Sequence, residues 1–511
     1  MNLHELSVAV FNTILVLLIC ISLSLLLGTL LAVLLQRTNV IGRQLIWIAL
    51  GSQIAVPLYV FAGGWSAGFG MQGWFTSLGL WDSVGLTGES TAAVMFAPGT
   101  PAALIAVALV YSFAAIPWVT FIMSLGIRWA NRGQEEQALL DGGWRFALLS
   151  VLLPKLRIWL VAAAIWTAIP VMTEMVISNL YQVPIVAEQV YLDASRGRVS
   201  VLTYLASFFI CTLPIAGIVL LILRRMPDWQ AVMARSEHHR AKPWDLKSLR
   251  WPMSVLAWCM ILFLVGLPIL NLVLKSGWQT TTGEDGLPSY GWHAGRFATT
   301  AYETATLFHK EFFWSFMLAA CSASVALGVA IAVCSSRNLA FKWGFTILCL
   351  LAVATPGPIV GMGLIWLLNR PSPQILGVLY DQSLLAPVLA QQCRLIPLAW
   401  LLAFGILASI SKSSREQAAM DGLGRFAFLR VVIWPQTGAL WIVSWLLLAV
   451  LSIGELSSTI LVLPPMVTTL SIRLFEMLHF GMRHQDSGLC GALMLFGWVM
   501  SFVFWKTLRE R

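Results

Sequence analysis

About eleven stretches of this 511-residue chain stay apolar for the roughly 20 residues a helix needs to cross a bilayer. They cover 6–36, 45–64, 101–127, 156–180, 201–223, 253–274, 312–336, 343–368, 385–411, 440–463 and 489–505. A soluble fold has no interior large enough for them. Only 11% of the residues are charged and the mean hydropathy is +0.81. The chain therefore reads as an all-α integral membrane protein, because a helix satisfies its own backbone groups in lipid. The first stretch is too long for a signal-peptide core and lacks a small-residue cleavage pattern after it, so it is expected to be a retained helix.

The formal net charge of +9 does not point to nucleic acid, because the basic residues sit in short loops between spans rather than on one face. Assigned to alternate loops, the Lys and Arg residues divide 23 against 9. The richer set includes Arg37, Arg128, Arg145, seven residues from Arg224 to Arg250, Arg415, Arg430 and Arg511. Positive loops stay in the cytoplasm. The carboxyl terminus is thus expected inside and, with eleven spans, the amino terminus outside. Residues 65–100 hold no Lys or Arg and read as an external loop, whereas 226–250 reads as a cytoplasmic linker. His238 and His239 in that linker lack further ligands at zinc-like spacing and read as solvated. The eight cysteines include no CxxC and lie mostly in apolar runs, so they read as small hydrophobes rather than disulfides or metal ligands. No cofactor is indicated.

The chain repeats itself. "EEQALLDGGWRFALLS" begins at Glu135 and "REQAAMDGLGRFAFLR" at Arg415, and eight of the twelve residues from Glu136 and Glu416 are identical. Pro117 and Pro397 share the same offset of 280, while Gly28 and Arg37 match Gly328 and Arg337 at an offset of 300. Two parallel halves follow, 1–225 and 251–511, with the pathway of a transporter expected between them. The span at 253–274 has no counterpart in the first half. An even number of spans separates the two polar copies, which puts both on one side. Ser413, three residues before Glu416, reads as a capping box, and Gly422 as a C-terminal glycine, giving helix, break and helix up to Pro154 or Pro435.

This repeated segment resembles the EAA loop of the permease subunits of ABC importers. In that pattern Glu-Ala-Ala is followed by Gly six residues after the Glu and by Pro near the nineteenth. The second copy, 415–435, matches at Glu416, Ala418, Asp421, Gly422 and Pro435, all but Asp421 being pattern positions. The first, 135–154, matches at Glu136, Ala138, Asp141 and Gly142, with Pro154 one residue early. Both have Gln, at Gln137 and Gln417, where the family usually has its first Ala. The resemblance implies a type I importer permease fold in the plasma (inner) membrane. It also implies that each loop docks on a cytoplasmic ABC ATPase, one loop per subunit of a homodimer, and that a periplasmic binding protein delivers the substrate. Two loops in one chain look like a fused permease that serves alone.

No G-x-x-x-x-G-K-[ST] loop is present, so ATP hydrolysis is expected of a separate subunit and the chain itself is not read as an enzyme. An intramembrane hydrolase or lipid transferase finds no nucleophile elbow, zinc-spaced His pair or carboxylate pair within one span. Glu174 and Glu455 stand at matching places, about 20 residues beyond the loop prolines, and three readings stay open for them. They are structural carboxylates at helix ends, pathway or gate residues, or the coupling sites of an ion-driven secondary transporter. The stretches 454–481 and 179–193 resemble fused permeases for ferric iron, with thiamine and polyamine permeases as relatives. The resemblance implies ferric iron first, then thiamine, polyamine or an oxyanion.

The charge split predicts that reporters fused after Gly70 and after Arg511 read opposite sides of the membrane; the same side for both would remove the eleven-span topology.

Overall fold

The computed structural model describes residues 3–70, 73–77, 101–130, 132–196, 207–210, 212, 217, 244, 246–282, 288–336, 338–370, 374–480 and 484–509. Most of the external loop expected at 65–100, most of the span expected at 201–223 and most of the expected linker lie outside them. In the first half, α1 (Leu3–Arg37), α2 (Arg43–Ile54), α3 (Leu58–Phe69) and α4 (Pro101–Trp129) precede the first repeated segment, whose helix is α5 (Arg132–Phe146). Then come α6 (Arg157–Thr173), α7 (Val176–Leu180) and α8 (Val186–Ser195).

The second half opens with α9 (Arg250–Ile261) and α10 (Leu267–Gly277), joined by a π-helical turn into the span without a counterpart. A hairpin of β1 (Trp278–Thr282) and β2 (Pro288–Trp292) follows, antiparallel with Trp278 opposite Trp292, and leads into α11 (Ala294–Leu307). The repeat resumes with α12 (His309–Cys334), α13 (Leu339–Ala354), α14 (Gly357–Leu368), α15 (Gln374–Gln382) and α16 (Leu385–Ala408). The second repeated segment holds α17 (Lys412–Met420) and α18 (Arg425–Phe428), and the chain continues through α19 (Trp434–Gly454), α20 (Leu470–Phe480) and α21 (Gln485–Arg509).

Among the described residues, seven helices are long and apolar enough to cross a membrane, and up to ten if three bent pairs each count as one span. The chain is a multi-pass α-helical membrane protein. The runs at 45–64 and 343–368, expected as single spans, are broken: α2 and α3 meet at 105°, and α13 and α14 at 109°. Both breaks fall at a proline, Pro57 or Pro356. Proline drives the residue before it out of the α region, and Thr355 accordingly sits in extended backbone. The runs at 156–180 and 440–463 are shorter as helices than expected. Each stops at its acid, Glu174 and Glu455 being the first residues beyond α6 and α19.

The duplication is visible in packing. In the first half α1 lies along α4 and α6, just as α12 lies along α16 and α19 in the second. The halves also exchange elements. The first half's α8 packs on α14, while the second half's α20 and α21 pack on α3 and α2. The largest buried apolar cluster therefore draws on both halves, with Tyr59, Tyr111 and Met175 beside Leu456, Leu474 and Leu489. The unmatched α10 is fixed at this seam by a buried ion pair, Lys275 to Asp486 at 2.9 Å, and by Asn271, which donates from Nδ2 to the carbonyl of Gly64 at 3.1 Å.

One close approach separates the two halves. A Cβ added at Gly28 would come within 2.7 Å of the Val119 side chain on α4, whereas one at the matching Gly328 meets nothing within 4 Å. Gly28→Val should destabilise the protein by about 2 kcal/mol through overpacking. Gly328→Val should leave thermal unfolding in detergent unchanged. Equal shifts for the two variants would show that α1 and α4 do not pack this closely.

Candidate functional site

The repeated segments fold as helix, break and helix. In the second copy Gly422 is the break, with φ +65°. In the first copy the expected Gly142 stays helical and Gly143 breaks it, with φ +72° and extended ψ. Two adjacent glycines let the break slide by one residue, since either tolerates positive φ. The cap also differs from expectation. Ser413 lies inside α17, and Ser411 before the helix accepts a hydrogen bond from the backbone of Ser414 at 3.2 Å.

Ala138 and Ala418 face inward and are buried, which fixes how each helix lies on the protein. The opposite faces carry the other matched residues. Glu136 and Asp141 are exposed on one loop, as are Glu416 and Asp421 on the other. Between them stand Leu140, 88% exposed, and Met420, 79% exposed, at the same offset of 280. The first loop is anchored in the body of the protein. Arg37, at the end of α1, pairs with Glu135 at 2.8 Å, both side chains 1% exposed, and donates to the carbonyl of Ile127 at 2.7 Å. The position matching Glu135 holds Arg415.

Glu174 and Glu455 come together on an arginine that lies within the apolar run at 385–411. Arg394, inside α16, places Nη1 3.0 Å from Glu174 Oε2 and 3.2 Å from Glu455 Oε2. Its Nη2 donates to the carbonyl and hydroxyl of Thr173, at 3.1 and 3.3 Å. The guanidinium thus sits at the C-terminal end of α6, where the helix dipole favours a cation and the last carbonyls lack partners. Glu455 in turn accepts from the backbone and hydroxyl of Ser458, at 3.0 and 2.9 Å, starting the turn after α19. Matched residues support both helix ends: Tyr111 donates to the carbonyl of Glu174 at 3.2 Å, and Gln391 to that of Ser452 at 3.0 Å. The pair of carboxylates expected to be missing within any one span is assembled between spans. The signal for Arg394 was a basic residue in the middle of an apolar run.

A cavity of about 470 Å³ lies against this triad. Its walls come from both halves and include Trp118, Trp166, Pro170, Thr346, Pro397 and Leu401. The helices α4 and α16 run into the repeated loops and α6 and α19 run out of them. On α4, α6 and α16 the lining residues therefore lie mostly between the triad and the loop face. At ~1.5 Å per residue, α6 places Glu174 roughly 25 Å from its loop end. The result is an apolar vestibule on the loop side with a charged floor. Trp118 and Trp166 form a tilted ring pair in its wall, centroids 4.9 Å apart.

Breaking a buried ion pair from one side leaves the other charge uncompensated, at a cost on the order of 3 kcal/mol. Arg394→Met, which strands two carboxylates, should lower the unfolding temperature in detergent more than Glu455→Gln, which leaves one neutral pair. The reverse order would contradict a shared arginine. No protein-family model and no curated protein matches the chain, so what it does has to be argued from its own residues.

Proposed function

We propose that this chain is the membrane subunit of an ATP-driven importer, with the type I permease fold and a translocation pathway between its halves. It lies in the plasma membrane, amino terminus outside and carboxyl terminus in the cytoplasm. Its repeated loops dock a separate ABC ATPase dimer, and a periplasmic binding protein delivers the cargo. Ferric iron is the first cargo by resemblance, with thiamine, polyamine or an oxyanion next.

The observation that carries this reading is the matched outer face of the two loops. An exposed Leu140 and an exposed Met420, each flanked by two exposed acids, stand on equivalent short helices. Large apolar side chains left in water at symmetric places mark a protein contact. Two such contacts in one chain suit a partner that is itself a dimer. The vestibule adds to this, since its helices lead directly to the loops.

Cysteines at Leu140 and Met420 should each cross-link to the co-expressed ATPase, while cysteines at the inward-facing Ala138 and Ala418 should not. Uptake of labelled ferric iron into proteoliposomes should require this chain, the ATPase and the binding protein together, and a catalytically dead ATPase should abolish it. A copurifying complex with no cross-link at either exposed site would overturn the docking assignment. Uptake that proceeds without ATP would overturn the importer assignment. A strain lacking the chain that keeps iron uptake but loses thiamine or polyamine uptake would move the cargo and leave the mechanism.

A further inference from the structure

We infer that Glu174 and Glu455 form a cation site at the floor of the vestibule, and that Arg394 occupies it as an internal stand-in for a positively charged cargo. The inference rests on the proposed transport function and narrows its substrates to cations.

Four observations lead there. The two carboxylates come from matching positions, each at the end of a helix that leads out of a repeated loop, so a movement of the loops relative to each other changes their separation. The arginine between them belongs to neither helix and has no repeat partner: the matching residue on α4 is Ala114. Two formal negative charges thus face one positive charge. In addition, Glu174 is 7% exposed and lines the cavity, and beyond Arg394 its carboxylate has the backbone N–H of Val176 beside it, with Oε1 buried and facing no other side-chain donor. That oxygen is an acceptor available to a second positive donor. Finally, Glu174, Glu455 and Arg394 are the only charged residues among those described in the vestibule wall. Its nearby Tyr111, Trp118 and Trp166 offer π faces, which attract cations and repel anions.

The arrangement works as an exchange. With the halves together, the guanidinium satisfies both acids and closes the floor. When the acids separate, one of them loses its partner inside a poorly hydrated site, and the unbalanced charge favours an arriving cation over water. An anion meets a net negative floor and gains nothing. Ferric iron, a protonated polyamine and a thiazolium share the required charge; an oxyanion does not.

The test uses the purified chain in nanodiscs of zwitterionic lipid, without ATPase or binding protein, so that its failure is separate from failure of the transport reading. The probe is Tb³⁺, whose luminescence is sensitised by nearby tyrosine and tryptophan. Arg394→Gln should bind Tb³⁺ roughly tenfold tighter than the wild type, because the competing guanidinium is gone. Arg394→Lys should stay near the wild type. Adding Glu174→Gln or Glu455→Gln to Arg394→Gln should remove the gain. Should Arg394→Gln fail to insert, Glu455→Gln alone, which keeps a neutral Arg394–Glu174 pair, should lose the weak sensitised signal of the wild type. Equal affinity with and without the two carboxylates, or a wild-type signal unchanged by Glu455→Gln, would overturn the site.

Discussion

A guanidinium has five donors in a fixed plane, enough to hold two carboxylates and a helix end at once. Arg394 uses that capacity where the halves meet. It touches Glu174, Glu455 and Thr173, and so ties the end of α6 to the end of α19 through a third helix. The contact has to be ionic to be useful here. Apolar side chains gain little from meeting each other rather than lipid, so a specific join between two membrane halves relies on close packing and on polar groups that have no better partner. The wall on the loop side of this join is mostly apolar. What lies beyond it is the exchanged layer of α7, α8 and α20, where Asn179 and His479 meet across the halves at 3.0 Å.

The broken helices show how such a bundle keeps its backbone satisfied. Where a helix stops inside lipid, its last carbonyls have no intrahelical donor, and the cost of leaving them bare is several kcal/mol each. Side chains from the other half supply donors. Tyr59 on α3 donates to the carbonyl of Ile453 at 3.1 Å, and Ser457 lies 3.4 Å from the carbonyl of Thr173. At the ends of α6 and α19 the interruption and the join between halves are therefore one structure, since the opposite half reaches a carbonyl freed at each.

The long apolar helices were legible because they depend on length, and the sequence repeat because it is identity at a fixed offset. The breaks were not, although their prolines were in plain view. Pro117 and Pro397 sit within continuous helices, α4 and α16, while Pro57 and Pro356 end them. A local window cannot distinguish the two outcomes, because the same proline can end a helix or sit within one. Glu174 and Glu455 were legible as intramembrane acids, but their partner was hidden by a rule that assigns each basic residue to a loop. In the loops, the crowded serines of "SKSS" moved the cap from Ser413 to Ser411, and the doubled glycine moved the first break from Gly142 to Gly143. These are shifts of one or two residues among near-equivalent groups, which pattern reading does not resolve.

The buried pair of Arg37 and Glu135 has a mechanical meaning. It welds the first repeated loop to the end of α1, deep enough that water cannot soften it. Because Arg37 also holds the last turn of α4 through the carbonyl of Ile127, the loop and the ends of α1 and α4 form one lever. A force on that loop would swing the three together rather than bend the loop alone.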